Sequence, residues 1–226
     1  MKINMKIILS VVFIGLISAW LFFDFGSEEE AWKDSIVSVQ LIFNEGKYNI
    51  DTDKSILRWK GSKKVINDSH EGTLKIKEGT VEINREGYIS GEITIDMNSL
   101  NCTDLSGDSK ANLEAHLSND DFFSIDKFSE SKIVFKSSNA NNTKMEFEGD
   151  ESILTIKGIP KPISFFAEIK KRNDNELFAF SKLEFDRTNY GIKYNSENFV
   201  KDIIANRIIK DEIEIEIELV ASPLKD

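Results

Sequence analysis

Apolar and polar residues alternate along most of the chain after Lys47. The clearest run places Ile213, Ile215, Ile217 and Leu219 on one face of an extended segment, with glutamates on the other face. Side chains of a β-strand point alternately to its two faces, so this pattern predicts strands with one buried and one solvated face. Similar runs recur between short turns and predict about eight antiparallel strands.

The segments between the runs indicate how the strands connect. Lys77–Thr80 and Arg85–Tyr88 are short, contain glycine and suit hairpins. Ser109–Leu117 is rich in helix-forming residues and places Leu113 and Leu117 four positions apart, so it predicts one short helix. Because closure removes the exposed edges of a long meander, we predict an all-β, antiparallel barrel rather than a sandwich.

The amino terminus follows a different pattern. Residues 7–23 form an uncharged apolar run, with Lys2 and Lys6 before it and acidic residues after it. This polarity predicts that the amino terminus stays in the cytoplasm and that the rest is exported. The run fits a cleaved signal peptide or an uncleaved signal anchor forming an N-terminal hydrophobic helix. A third alternative is a buried helix of a soluble protein. It fits less well, because the uncharged run would be apolar on every side of the helix.

We therefore divide the chain into three parts. Residues 1–25 are the signal peptide or anchor, residues 26–46 a linker, and residues 47–226 the barrel. The predicted location is the periplasm or cell envelope, with residues 7–23 holding the protein in the inner membrane if they are not removed.

Charge narrows the range of partners. The 226 residues include 29 Lys and Arg against 39 Asp and Glu, a formal net charge of −10. Nucleic-acid binding normally requires a basic surface, so a nucleic-acid partner is excluded. The same acidic balance argues against a barrel that adsorbs strongly to a membrane, and the amino-terminal segment is left as the membrane contact.

Cysteine and histidine are scarce. One cysteine, Cys102, excludes an intramolecular disulfide and a cysteine-rich zinc site, and two histidines make a histidine-based metal centre improbable. The chain has no G-x-S-x-G, G-x-x-x-x-G-K or H-E-x-x-H motif. We therefore predict no catalytic residue, no metal and no cofactor.

Several short motifs occur in a characteristic order. They are W-x-G-x-K from Trp59, S-H-x-G from Ser69, H-L-x-x-x-D-F-F from His116, I-V-F-K-S from Ile133, L-T-I-K-G-x-x-K-P-I-x-F from Leu154 and F-D-R-T-N-Y-G-I from Phe185. Together they resemble the YceI-like family, also called the lipid- or polyisoprenoid-binding family, over about residues 48–221. The resemblance implies an extended lipocalin-like barrel whose interior holds an isoprenoid or similar amphiphilic chain.

An apolar lining is expected from this resemblance and from the alternation. For each residue, ordinary core packing is the alternative role, because inward apolar side chains look the same in a filled barrel. Phe122 and Phe123 are expected to plug one end of the barrel, as core or as a lid. The candidate lining residues are Trp59, Ile93, Ile95, Phe122, Phe123, Phe135, Phe147, Leu154, Ile156, Phe165, Leu183, Phe185, Ile215 and Ile217.

Three polar residues are candidates for contact with a ligand head group. His70 and His116 occupy the S-H-x-G and H-L positions, and each either binds a head group or ties a loop to a strand. Arg187, next to Asp186, either binds an anionic head group or pairs with a carboxylate.

The leading hypothesis is an exported barrel that binds a polyisoprenoid, an isoprenoid quinone or another amphiphilic lipid for carriage or sequestration in the cell envelope. The first alternative is an envelope stress or interaction protein whose barrel is filled by side chains and binds no lipid. The second is an enzyme that uses His70 or His116.

Overall fold

Eleven antiparallel strands and one α-helix make up most of the structure, a computed structural model that describes residues 41–173 and 176–224. The strands are β1 Gly46–Ile50, β2 Ile56–Ser62, β3 Ser69–Ile83, β4 Ile89–Cys102, β5 Glu130–Lys136, β6 Lys144–Phe147, β7 Ile153–Ile156, β8 Ile159–Pro162, β9 Phe165–Asn173, β10 Glu176–Asp186 and β11 Glu212–Pro223. The helix, α1, is Gly107–Ser118, and 3₁₀ helices occur at Arg187–Tyr190 and Ala205–Arg207. The all-β prediction is confirmed.

The predicted number of about eight strands was too low because some barrel positions hold two short strands. β1 and β2 both pair with β11 and β3, so they follow one another along a single position between those strands. The remaining order is β6-β9-β10-β11, then β3-β4-β5-β7-β8. β8 has four residues, two of them prolines, and prolines predict the end of a ladder rather than a further strand.

The barrel closes where β6 meets the chain that follows β5. Ser137 forms an isolated antiparallel bridge with Phe147, and the Ser138 N–H donates to the Glu146 carbonyl at 2.8 Å. Two β-bulges between β3 and β4 bend these long strands, which increases the local twist that a closed sheet requires.

The two ends of the barrel differ. At one end the turn between β3 and β4 covers a tightly packed core in which Phe43, Tyr48, Ile83 and Ile89 are buried. At the other end lie the β2–β3 loop, α1 and residues 187–211, and this end is called the mouth below. Phe43 belongs to the predicted linker, so the last residues of that segment pack into the barrel.

The interior helix was predicted at Ser109–Leu117 and is observed at Gly107–Ser118. It has no fully buried residue and is fixed to β4 by polar contacts: Glu114 Oε1 accepts from the Cys102 N–H at 2.8 Å, and Lys110 Nζ donates to Asn101 Oδ1 at 2.8 Å. The predicted signal or anchor segment lies outside the described residues. Among the residues that are described, no helix is long and apolar enough to cross a membrane.

Candidate functional site

An apolar cavity of about 170 Å³ occupies the half of the barrel next to the mouth. Its walls come from inward residues of β2, β3, β4, β5, β7, β10 and β11, and Leu113 and Leu117 of α1 cover it from above. The alternation on β11 positions Ile213, Ile215 and Ile217 in this wall, as the sequence predicts. Such a cavity favours an apolar ligand, because few polar groups are available to hold water inside.

A second apolar cavity of about 70 Å³ lies deeper, toward the closed end. Ile133, Leu183 and Ile217 line both cavities, so these three residues form the layer where the two meet. Aromatic rings fill much of the inner part: the Phe147 and Phe165 rings stack with centroids 4.6 Å apart, and Phe135 meets the edge of Phe147 at 5.4 Å.

The predicted lining residues all point to one of the two cavities. The outer cavity is lined by Trp59, Ile95, Phe122, Phe123, Leu154, Ile156, Leu183, Phe185, Ile215 and Ile217. The inner cavity is lined by Ile93, Phe135, Phe147 and Phe165, together with Leu183 and Ile217. The division into an outer and an inner cavity could not be predicted from the sequence. Alternation indicates which face of a strand a residue is on, but not its depth along the barrel.

His70 lies at the mouth and also lines the outer cavity. Its Nδ1 is 2.9 Å from Asp104 Oδ2, and Asp104 Oδ1 accepts the Cys102 thiol at 3.0 Å and the Glu71 N–H at 3.1 Å. Partial burial raises the pKa of Asp104, but the hydrogen bonds from Cys102, His70 and Glu71 outweigh it and lower that pKa to about 2. Asp104 therefore ties the start of β3 to the end of β4.

Cys102 is fully buried, and burial raises the pKa of its thiol. A thiol of raised pKa that is closed to solvent is a poor nucleophile. Its contribution at this site is the hydrogen bond to Asp104.

His116 does not line either cavity. Its Nε2 lies 3.2 Å from Asp121 Oδ2, and its ring packs edge-on against Phe122 and Tyr194, with centroids 5.0 and 4.6 Å away. These contacts connect α1, the turn after it and the 191–211 segment. His70 and His116 thus have different carboxylate partners.

Arg187 is buried at the mouth, with 1% of its surface exposed. Its guanidinium donates to the carbonyls of Ile192, Ile209 and Lys210 and to Asp211 Oδ1, at 2.9 to 3.2 Å. Burial lowers its pKa, and Asp211 opposes that shift. The carboxylate partner is Asp211 rather than the adjacent Asp186, which instead caps the 3₁₀ helix at Thr188.

The indole N–H of Trp59 is buried and has no hydrogen-bond partner among the described residues. Trp59 pairs with Gly72 across β2 and β3, and a Cβ on Gly72 would lie 2.6 Å from the Trp59 ring. The glycine of the S-H-x-G motif therefore leaves room for the indole.

Several further residues line the outer cavity without having been singled out in the sequence. Leu57, Leu74 and Ile213 belong to runs whose alternation marked them as inward. Ile192 and Ile209 come from the irregular 191–211 segment, where neither period 2 nor period 3.6 applies, so no periodicity marked them as inward.

Comparison with solved structures shows the fold. BcnA from Burkholderia cenocepacia is 21% identical with a TM-score of 0.60, covering 76% of this chain and 99% of its own. A polyisoprenoid-binding domain from Saccharophagus degradans, implicated in plant cell wall breakdown, is 16% identical with a TM-score of 0.55, covering 82% of this chain and 100% of its own. Among curated protein sequences, none matches significantly.

The family model of the YceI-like domain matches residues 48–221. This span begins in β1 and ends in β11, so it includes every strand of the barrel and every residue of both cavities. The chain belongs to the YceI-like family.

Proposed function

We propose that this protein binds a polyisoprenoid, an isoprenoid quinone or another amphiphilic lipid inside its barrel and carries or sequesters it in the cell envelope. The observation that carries the proposal is the apolar cavity of about 170 Å³ beneath the mouth. The Saccharophagus degradans domain, described as polyisoprenoid-binding, has the same fold and supports this choice of ligand class.

The energetics of such binding come from the tail. Burying one CH₂ group is worth about 0.8 kcal/mol, so one five-carbon isoprene unit contributes about 4 kcal/mol before ordering costs are subtracted. A few units then suffice without a strong polar anchor. Arg187 and Asp104, two charged groups at the mouth, each have hydrogen-bond partners within the protein.

Export to the envelope is part of the proposal and rests on the sequence of residues 7–23 with its flanking charges. The same segment is proposed as the membrane contact, if it is retained.

We also propose that the protein is not an enzyme. His70 and His116 have separate aspartate partners, and His70 alone of the two lines the cavity. The enzyme alternative requires the two imidazoles to meet in one cleft, and His116 lines neither cavity.

The alternative of a side-chain-filled barrel has one observation in its favour. The inner cavity measures about 70 Å³ because phenylalanine rings occupy the space around it. Under the lipid-binding proposal, the same narrow space means that the ligand fills the outer cavity and that only the end of its chain reaches the inner one.

The test uses two matched variants of the full chain. Ile215→Trp places a large side chain inside the outer cavity, and Glu214→Trp places the same side chain on the outer face of the same strand. The parent chain and both variants are purified from their native compartment and checked for folding by circular dichroism. Each is then extracted for mass spectrometry of bound lipid. We expect a bound isoprenoid or lipid in the parent chain and in Glu214→Trp, and its loss in Ile215→Trp.

Because each variant keeps residues 1–40, lipid carried by that segment is the same in all three proteins. A parent chain that is consistently empty and takes up no added isoprenoid would refute lipid binding and favour the filled barrel. Equal lipid content in all three proteins would place the lipid outside the cavity.

A further inference from the structure

Two of the segments at the mouth of the outer cavity form one surface, called the rim below and defined as residues 63–68 and 191–210. The Lys64 N–H donates to the Ile208 carbonyl at 2.9 Å, and the Lys210 N–H donates to the Ser62 carbonyl at 2.9 Å. Lys63 and Ile209 bridge the two segments and also line the cavity. The rim therefore lies where a ligand would enter.

The rim is unusually apolar on its solvent side. Of eleven exposed large apolar side chains among the described residues, six belong to the rim. Ile204 is 61% exposed and Val65 is 58% exposed, whereas many isoleucines of this protein lie in its core. The six are Val65, Ile66, Tyr194, Phe199, Val200 and Ile204. Exposed apolar side chains collected on one surface mark a contact site.

Charge on the rim is opposite to that of the protein. Six basic and three acidic residues give the rim a net charge of +3, while the whole chain carries −10. Two of the acidic residues are paired inside the rim, Asp68 with Lys63 and Glu197 with Lys64. The Lys193 ammonium lies 4.5 Å from the centroid of the exposed Phe199 ring, so positive charge and apolar surface are adjacent.

We propose that the rim docks onto the surface of an anionic phospholipid bilayer. Apolar side chains that enter the boundary between head groups and acyl chains, flanked by Lys and Arg that attract anionic head groups, are the composition of interfacial membrane-binding segments. The acidic remainder of the barrel is repelled by the same surface, so the rim is the part that faces it.

This docking rests on the proposed lipid binding and extends it. A mouth held against the bilayer lets an apolar chain pass between membrane and cavity without crossing water. Every CH₂ group that enters water on the way adds to the free-energy barrier of transfer, and a docked mouth avoids that exposure. The acidic balance of the sequence, which argued against adsorption of the barrel as a whole, does not apply to this end.

The test measures which surface of the full chain contacts the bilayer. Single cysteines are introduced as Val65→Cys or Ile204→Cys on the rim and as Phe166→Cys on the side wall, where Phe166 is 53% exposed, and each is labelled with bimane. Cys102 is fully buried and does not compete for the label. The proteins are mixed with vesicles of phosphatidylcholine, with or without phosphatidylglycerol, whose acyl chains carry bromine as a quencher.

We expect bromine to quench both rim labels in vesicles that contain phosphatidylglycerol and to leave the Phe166→Cys label unchanged. In the rim-labelled chain, Lys201→Glu combined with Arg207→Glu should remove most of this quenching. Lys170→Glu combined with Arg172→Glu makes the same change in net charge at the closed end, and this control should preserve the quenching of the rim label.

Rim labels that bromine does not quench would overturn the proposal. Equal quenching of the rim labels and the Phe166→Cys label would overturn it as well, because it would reflect tethering by residues 1–40 without a docked mouth. A blue shift of the rim labels that depends on protein concentration and needs no vesicles would assign the rim to a second copy of the chain instead. The labels report contact whether or not the cavity is loaded, so docking and lipid binding can fail separately.

Discussion

Single residues at the mouth have structural tasks that their sequence positions did not distinguish. His70, His116 and Arg187 were candidates for head-group contact, and each is bonded to an aspartate that comes from a different segment of the chain. Motif position marked these residues as special, but their partners are 34, 5 and 24 positions away and follow from the folded topology.

The low pKa of Asp104 makes a pH-dependent contribution to stability. Its carboxylate is favoured in the folded state, so the stabilisation is complete above the unfolded-state pKa near 4 and is lost as the pH falls toward about 2. We expect Asp104→Asn to lower the free energy of unfolding by about 1–2 kcal/mol at neutral pH and by much less at pH 2. Urea unfolding of both proteins across this pH range measures the difference.

The comparison between the two proteins isolates Asp104, because the other carboxylates titrate in both. A difference in unfolding free energy that stays constant from neutral pH to pH 2 would contradict the role of the charge.

At the scale of elements, glycine opposite an aromatic residue sets how closely neighbouring strands approach. Gly72 on β3 faces Trp59 on β2, and Gly91 on β4 faces Phe135 on β5. In each pair the ring lies over the glycine, and a Cβ there would come within 2.8 Å of it. Both pairs contribute an aromatic side chain to a cavity wall.

Gly72→Ala should therefore destabilise the barrel strongly. Its Cβ would lie 2.0 Å from the Asn101 carbonyl oxygen and 2.6 Å from the Trp59 ring, so backbone or indole must move. We expect a loss of roughly 2–3 kcal/mol in the free energy of unfolding. The measurement is urea unfolding followed by tryptophan fluorescence.

Gly61→Ala is the matched control, because its Cβ would meet only Ile213 Cδ1 at 3.7 Å, an ordinary contact. We expect it to change the free energy of unfolding by less than about 1 kcal/mol. Equal losses for the two variants would mean that glycine at either position matters through backbone freedom and not through the space it leaves for Trp59.

The elements of the barrel were largely predictable, since strand alternation and helix-forming residues are local properties. The helix was predicted to within two residues of its observed bounds, and the inward face of β11 was assigned correctly. The number of strands was not predictable, because the division of one barrel position between β1 and β2 depends on pairing with β11 and β3, far away in sequence.

The site was predictable to a smaller extent for the same reason. Inward residues on strands were identified from alternation, whereas the contribution of Ile192 and Ile209 depends on how the 191–211 segment folds across the mouth. Hydrogen bonds from Arg187 to the carbonyls of Ile192 and Ile209 hold that segment in place. No periodicity in the sequence reports such a long-range constraint.

At the scale of the whole molecule, two apolar cavities lie in series along the barrel and meet at Ile133, Leu183 and Ile217. A short apolar chain can be housed in the outer cavity alone, while a long one must pass this layer. For the proposed lipid ligand, we expect this layer to set the chain length that the barrel accepts.

Leu183→Trp should separate the two cavities and change ligand selection. The larger side chain fills the space between Ile133 and Ile217, so a chain end can no longer enter the inner cavity. We expect the affinity for geranylgeraniol to fall roughly tenfold, because about two CH₂ groups or more lose their burial, and the affinity for geraniol to change little. Competition against a fluorescent prenyl probe measures both affinities.

Glu184→Trp is the control for this variant, since residue 184 follows Leu183 on β10 and faces outward. It should leave both affinities unchanged, which separates occlusion of the barrel from a general effect of tryptophan on β10. If Leu183→Trp weakens geraniol and geranylgeraniol by the same factor, the two cavities do not act in series. The ligand would then reside in the outer cavity alone, and the aromatic cluster of Phe135, Phe147 and Phe165 would act as a fixed floor beneath it.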